Sequence, residues 1–188
     1  VLDELGMSMG EMQSAFVSTD VFSEMFDNEE MNEQMYDLVA GAWPTKYNEV
    51  VLVVDENNEI SDFTLYALGL KDSSELSEMY QSILNGTAFE VEQTSYEIDD
   101  LVGMTFKFIL NSDYYEKENG IWVDKRSDEK YMKNLLTDAE ELTITGIIKP
   151  NEESVVASTA GGVLYLKDLK EYVINKINES QIAKEQSE

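Results

Sequence analysis

The amino-acid sequence predicts an α+β fold in which a mixed sheet carries packed helices, arranged as one unit or as two lobes. Three observations predict it. Val50-Val51-Leu52-Val53-Val54 is an uninterrupted apolar run between polar borders. Such a run marks a strand buried on both faces and central in its sheet, and its valines argue against a buried helical turn. Residues 105–110 and 142–148 supply further strands, and Asn119-Gly120 has the chemistry of a two-residue hairpin turn. Apolar stripes at helical spacing follow Asp72, Ser127 and Leu166.

Taken in order, residues 1–18 are rich in Met, Gly and Ser without clear periodicity and predict an irregular lead-in. Val21, Phe22, Met25 and Phe26 then fall at helical spacing, with Asp20 placed to cap a helix. The acidic run 27–33 continues or ends that helix on a solvated face; a metal site is the sharper alternative. A short strand over 36–39 leads to Gly41, and Pro44 holds Trp43 extended before the 50–54 strand. Asp55, Asn57 and Glu59 imitate a calcium loop. The imitation fails at Ile60, where glycine is needed, and at Tyr66, where a bidentate glutamate is needed. The segment reads instead as a loop into a helix capped by Ser61 and ended by Gly69.

Asp72 and Glu75 have capping-box spacing, and Leu76, Met79, Tyr80, Ile83 and Leu84 form the stripe of a helix that stops at Asn85-Gly86. An edge strand is expected over 88–94 and an acidic turn over 96–101. Phe106, Phe108 and Leu110 share one face of the next strand. Around Asn119-Gly120, Trp122 is expected to pack across the hairpin with Tyr114 and Tyr115; an aromatic binding ledge is the alternative. Ser127 caps a helix with Tyr131, Met132, Leu135, Leu136 and Ala139 buried. After the 142–148 strand come a polar loop over 151–160, a strand over 163–166, and a helix with Leu166, Leu169, Val173 and Ile177 in line. The chain thus reads as a single domain over 1–188, with a folded core over 19–178 and a frayed tail over 179–188.

Composition narrows the function classes. Among 188 residues, 39 acids against 13 bases give a net charge of −26, which opposes binding to a phosphate backbone or an anionic lipid surface. No nucleic-acid partner is therefore expected. With no cysteine and no histidine, thiolate metal sites, disulfides and a serine–histidine triad are excluded. No catalytic, cofactor-binding or metal-ligating residues are assigned, and no cofactor is expected. Asp99-Asp100 and Glu140-Glu141 are adjacent carboxylates, so a two-carboxylate hydrolase stays open as a minor alternative. Gly161-Gly162 lacks the frame of a phosphate loop, and the acceptor patterns at Asn85 and Asn178 matter only in a secretory setting. No stretch approaches the ~18 apolar residues of a membrane span. The start at Val1 suggests a mature form or a segment of a longer protein.

Five segments occur in a recognisable order. They are Tyr36-Asp37-Leu38-Val39-Ala40-Gly41-Ala42-Trp43-Pro44, Asn48-Glu49-Val50-Val51-Leu52-Val53, Leu65-Tyr66-Ala67-Leu68-Gly69-Leu70, Leu101-Val102-Gly103-Met104-Thr105-Phe106 and Leu142-Thr143-Ile144-Thr145-Gly146-Ile147-Ile148-Lys149-Pro150. Together they resemble the extracytoplasmic, MacB-like periplasmic core domain of FtsX-like (MacB-type) ABC transporter permeases, most closely the combined ATPase–permease proteins of Gram-positive Firmicutes. Ala42 departs from the pattern, since such proteins often carry an arginine there. The resemblance implies a domain on the extracellular face of the cell membrane, inserted between transmembrane helices. It would carry ATP-driven motion from the membrane helices and a cytoplasmic ATPase domain to an extracellular substrate, without catalysis of its own. The partners it implies are the rest of the permease, a second permease copy and a transported substrate. A secreted or cell-surface substrate-binding module is the alternative.

Overall fold

The computed structural model describes residues 21–71, 96, 98–151 and 162–186. The lead-in over 1–18, the helix after Asp72, the edge strand over 88–94, and the polar loop beyond Asn151 lie outside the described residues. The fold is α+β, and the described residues build a six-stranded mixed sheet.

The strands are β1 (Phe22–Glu24), β2 (Tyr36–Gly41), β3 (Glu49–Val53), β4 (Thr105–Phe108), the hairpin pair β5 (Tyr115–Glu118) and β6 (Ile121–Asp124), β7 (Glu140–Pro150) and β8 (Gly162–Tyr165). The α-helices among the described residues are α1 (Glu29–Met35), α2 (Asp62–Ala67), α3 (Ile98–Leu101), α4 (Glu129–Asp138), α5 (Lys167–Glu179) and α6 (Gln181–Gln186). The sheet order is β1-β8-β3-β7-β2, with β4 also on β7. β3 runs antiparallel to β8 and parallel to β7. On its other edge β7 holds β4 along its first residues and β2 along its last.

The expected central strand is central. Val50, Val51, Leu52, Val53 and Val54 are all fully buried. Val50, Leu52 and Val54 enter one apolar cluster with Leu142, Ile144 and Ile147. Val51 and Val53 enter a second, on the opposite face, with Tyr36, Ile148 and Leu164. Alternate residues of a strand point to opposite faces, so an unbroken apolar run is what two cores require. In β7 the pairing with β3 slips between Ile144 and Gly146. Thr145 is the extra residue of this bulge, and it brings Ile144 and Ile147 to the same face despite their odd spacing. The sheet also curls. Phe22 of β1 and Phe106 of β4 belong to opposite borders, yet their rings lie 6.3 Å apart.

Local signals hold where a single turn sets them. Ser61 Oγ accepts from Thr64 N, and α2 ends with Leu70 N donating to Leu65 O and Gly69 N to Tyr66 O. That reciprocal pair satisfies the last carbonyls of the helix. Asn119 and Gly120 take φ of 50° and 86°, as the tight hairpin turn requires.

Four expectations need correction. Residues 22–24 form a strand, parallel to β8 in the register Phe22↔Val163, instead of a helix capped by Asp20. The helix starts later, in the acidic run, where Asn28 Oδ1 accepts from Met31 N and Glu29 and Glu30 occupy the first turn. Asp128, one residue after Ser127, caps α4 by accepting from the backbone of Lys130 and Tyr131. No residue of α4 is fully buried and Leu136 is exposed; Tyr131 and Leu135 line a hollow with Tyr115 and Trp122 of the hairpin, and neither apolar cluster includes a residue of this helix. The tail expected to fray is helical over Gln181–Gln186. Glu185 accepts from Lys117 Nζ at 2.6 Å and from Trp122 Nε1 at 3.1 Å, so α6 is fastened to the hairpin.

Candidate functional site

Two neighbouring parallel strands border a crevice. β1 and β8 run side by side, and Met25 N extends their pairing by donating to Tyr165 O at 2.8 Å. Their following helices leave to opposite faces. Met35 at the end of α1 packs on the second apolar cluster, whereas Leu169, Tyr172 and Val173 of α5 pack on the first. When connections diverge in this way at the carboxyl ends of parallel strands, a gap opens between them. In this fold it is a pocket of about 360 Å³.

Its walls come from three segments. The β1–α1 loop supplies Met25, Phe26 and Asp27, and Asn32 fixes that loop. Buried Asn32 donates from Nδ2 to Phe26 O at 2.8 Å and accepts at Oδ1 from Phe26 N at 3.2 Å. The exit from β2 supplies Trp43 and Pro44. It is held on one side by Ala42 N donating to Thr145 O at 2.8 Å and on the other by Thr45 N donating to Glu49 Oε2 at 2.7 Å. The start of α5 supplies Leu166, Lys167 and Asp168. The Thr45 amide, followed by the Lys46 ammonium, holds the Glu49 carboxyl at about 2. Lys167 forms an ion pair with Asp27 at 3.3 Å, and this contact raises the pKa of its ammonium.

A second polar cluster lies at the start of β7. Glu140 Oε1 accepts from the Tyr47 hydroxyl at 2.8 Å and Oε2 from the Tyr172 hydroxyl at 3.0 Å. The two rings stack with centroids 4.6 Å apart. Burial, then the bond to Glu140, pushes the Tyr172 phenol up to about 12, and the same carboxylate raises Tyr47. This cluster ties α5 and the loop before β3 to β7.

The adjacent pair Glu140-Glu141 does not converge. Successive residues of a strand face opposite ways. Accordingly, Glu140 meets the two tyrosines while Glu141 pairs with Lys107 at 2.9 Å. Asp55 closes its own loop by accepting from Asn57 N and Glu59 N at Oδ1. Among the described residues no group of three metal-ligating side chains occurs, which includes the acidic run of α1. Trp122 and Tyr115 line a shallower hollow with Tyr131 and Ile182, while Tyr114 lies elsewhere, under the Arg126 guanidinium. No helix among the described residues is long and apolar enough to cross a membrane.

Sequence reasoning missed the crevice. Trp43 and Asp27 were visible as residues, but nothing local brings the 26–32 loop to the start of α5. Only the β1–β8 pairing does so, between segments about 140 residues apart in the chain. Comparison of the chain with protein-family models, curated proteins and solved structures finds no match.

Proposed function

We propose that the chain is a non-catalytic extracytoplasmic domain of an FtsX-like, MacB-type ABC transporter permease. In this reading it carries ATP-driven motion of membrane helices to an extracellular substrate, alongside a second copy of the permease.

The observation that supports this reading is the placement of the five family-like segments. They become β2 with its exit, β3, the end of α2, the α3–β4 unit and β7. Four of the five supply strands of one sheet, and the fifth follows β3 directly. Two of their glycines touch. A Cβ at Gly41 would lie 2.2 Å from Thr145 O, and one at Gly146 would lie 2.5 Å from Ala42 O. The residues that carry the resemblance therefore specify a close antiparallel pairing of β2 with β7, which is a structural task. A sheet clamped in this way, with β3 buried on both faces, transmits displacement as one body because packed interiors are poorly compressible.

The β1–β8 crevice favours a second reading, a cell-surface binding module. The two differ in what surrounds the domain: membrane helices on both sides for the permease, a single anchor or leader for the module.

Surface labelling of the full-length protein in cells tests the location. The domain lacks cysteine, and Ile121 at the hairpin turn is 69% exposed. Ile121→Cys should react with a membrane-impermeant maleimide on intact cells. Reaction only after lysis would put the domain in the cytoplasm and overturn the proposal.

A further inference from the structure

We propose that the crevice between β1 and β8 binds a small organic cation with an apolar body, an ammonium or guanidinium group borne on an aliphatic or aromatic frame. This inference goes beyond the permease reading and does not depend on it.

The topology gives the first argument. The pocket lies where two adjacent parallel strands send their helices to opposite faces; this sheet is mixed, but the local divergence is the one that receives ligands in doubly wound parallel sheets. Its volume of about 360 Å³ suits a small molecule or one side chain. The chain's own hydrogen bonds fix the frame. Asn32 clamps the Phe26 backbone, and the Ala42 and Thr45 amides hold the Trp43-Pro44 turn at both ends.

The wall chemistry selects the ligand. Trp43, Phe26, Pro44 and Leu166 offer an apolar and aromatic surface. Phe26 is 46% exposed and Trp43 half-buried, so both have area left to cover. Three carboxylates, Asp27, Glu29 and Asp168, face one cation, Lys167, and Lys167 is engaged by Asp27 at 3.3 Å and by Glu171 at 3.9 Å. Glu29 and Asp168 remain to set the sign of the pocket. An anion at the start of α5 would meet Asp168, already placed in that first turn. A cation would find two carboxylates and the Trp43 side chain in one lining, and the domain's charge of −26 would raise its local concentration.

The test uses phenethylammonium, its neutral isostere phenethyl alcohol and the anion 3-phenylpropionate as probes. Trp122→Phe leaves Trp43 as the only tryptophan, because the chain has two. Emission of Trp43 should change saturably with phenethylammonium. The alcohol should bind about tenfold more weakly, the anion not measurably, and added salt should weaken the cation's binding. The double variant Glu29→Gln/Asp168→Asn should reduce cation affinity about tenfold while leaving the alcohol unchanged. If Trp122→Phe does not fold, the indole N–H resonance of Trp43 in the unaltered chain reads the same titrations by NMR. Absence of saturable binding overturns the proposal. So does equal binding of the alcohol, or a double variant with undiminished affinity for phenethylammonium. None of these outcomes bears on where the domain sits in the cell, which the Ile121→Cys labelling decides separately.

Discussion

A Cβ on Gly41 would sit 2.2 Å from the carbonyl oxygen of Thr145, the bulged residue of β7. Gly41 also has φ of +74°, so any side chain there is strained twice. Gly41→Ala should lower stability by about 1–3 kcal/mol, measured by urea unfolding. An unchanged midpoint would mean that β2 does not leave the sheet through this close contact with Thr145.

Gly146 tests the other side of the same strand pair. Its φ is not positive, so only space is at issue: the added methyl would meet Ala42 O at 2.5 Å, a backbone atom that cannot swing aside. Gly146→Ala should destabilise by about 1–3 kcal/mol, and Gly41→Ala/Gly146→Ala by less than the sum, because both methyls push apart the same paired ends of β2 and β7.

Glu49 makes stability depend on acid. Its folded pKa, about 2, lies below the ordinary 4.5. Its contribution is therefore complete above the ordinary value and is lost as the pH falls through about 2. Glu49→Gln should flatten the stability profile below about pH 4.5 and cost about 1 kcal/mol at neutral pH. An acid limb unchanged by the substitution would remove Glu49 from this role.

Tyr172 contributes on the alkaline side. Its folded pKa of about 12 exceeds the ordinary 10.0. Its contribution is therefore whole below pH 10 and is lost as the pH rises toward 12. Tyr172→Phe should lose less stability over that interval than the parent chain does. Parallel alkaline profiles for the two proteins would show that the buried Tyr172 phenol contributes no pH dependence.

The fastening of α6 is tested through Glu185. Glu185→Ala removes the acceptor shared by Lys117 and Trp122. Backbone amides of 181–186 should then exchange with solvent markedly faster while those of β3 are unaffected. Equal exchange in the two proteins would mean that α6 is held by apolar contacts alone.

How much the sequence reveals follows from how local each signal is. The β3 run, the Ser61 cap, the Gly69 stop and the Asn119-Gly120 turn are set by a few neighbouring residues, and all were legible. β1 was not: Val21, Phe22, Met25 and Phe26 fit a helical period, but pairing with Val163 decides their state. The Thr145 bulge hides which isoleucines share a face, because it breaks the alternation that sequence reading relies on. For α4, periodicity located the stripe but could not say how deep its partner surface is. The crevice was illegible for the same reason as β1, since its walls meet only through the sheet.

The central claim is that this sheet belongs to a domain set between membrane helices. The most direct measurement is the sequence of the complete reading frame around residues 1–188. Apolar segments of ~20 residues are predicted on both sides, with an ATPase domain in the same protein or in a partner chain. A frame without membrane-spanning segments on both sides would contradict the claim.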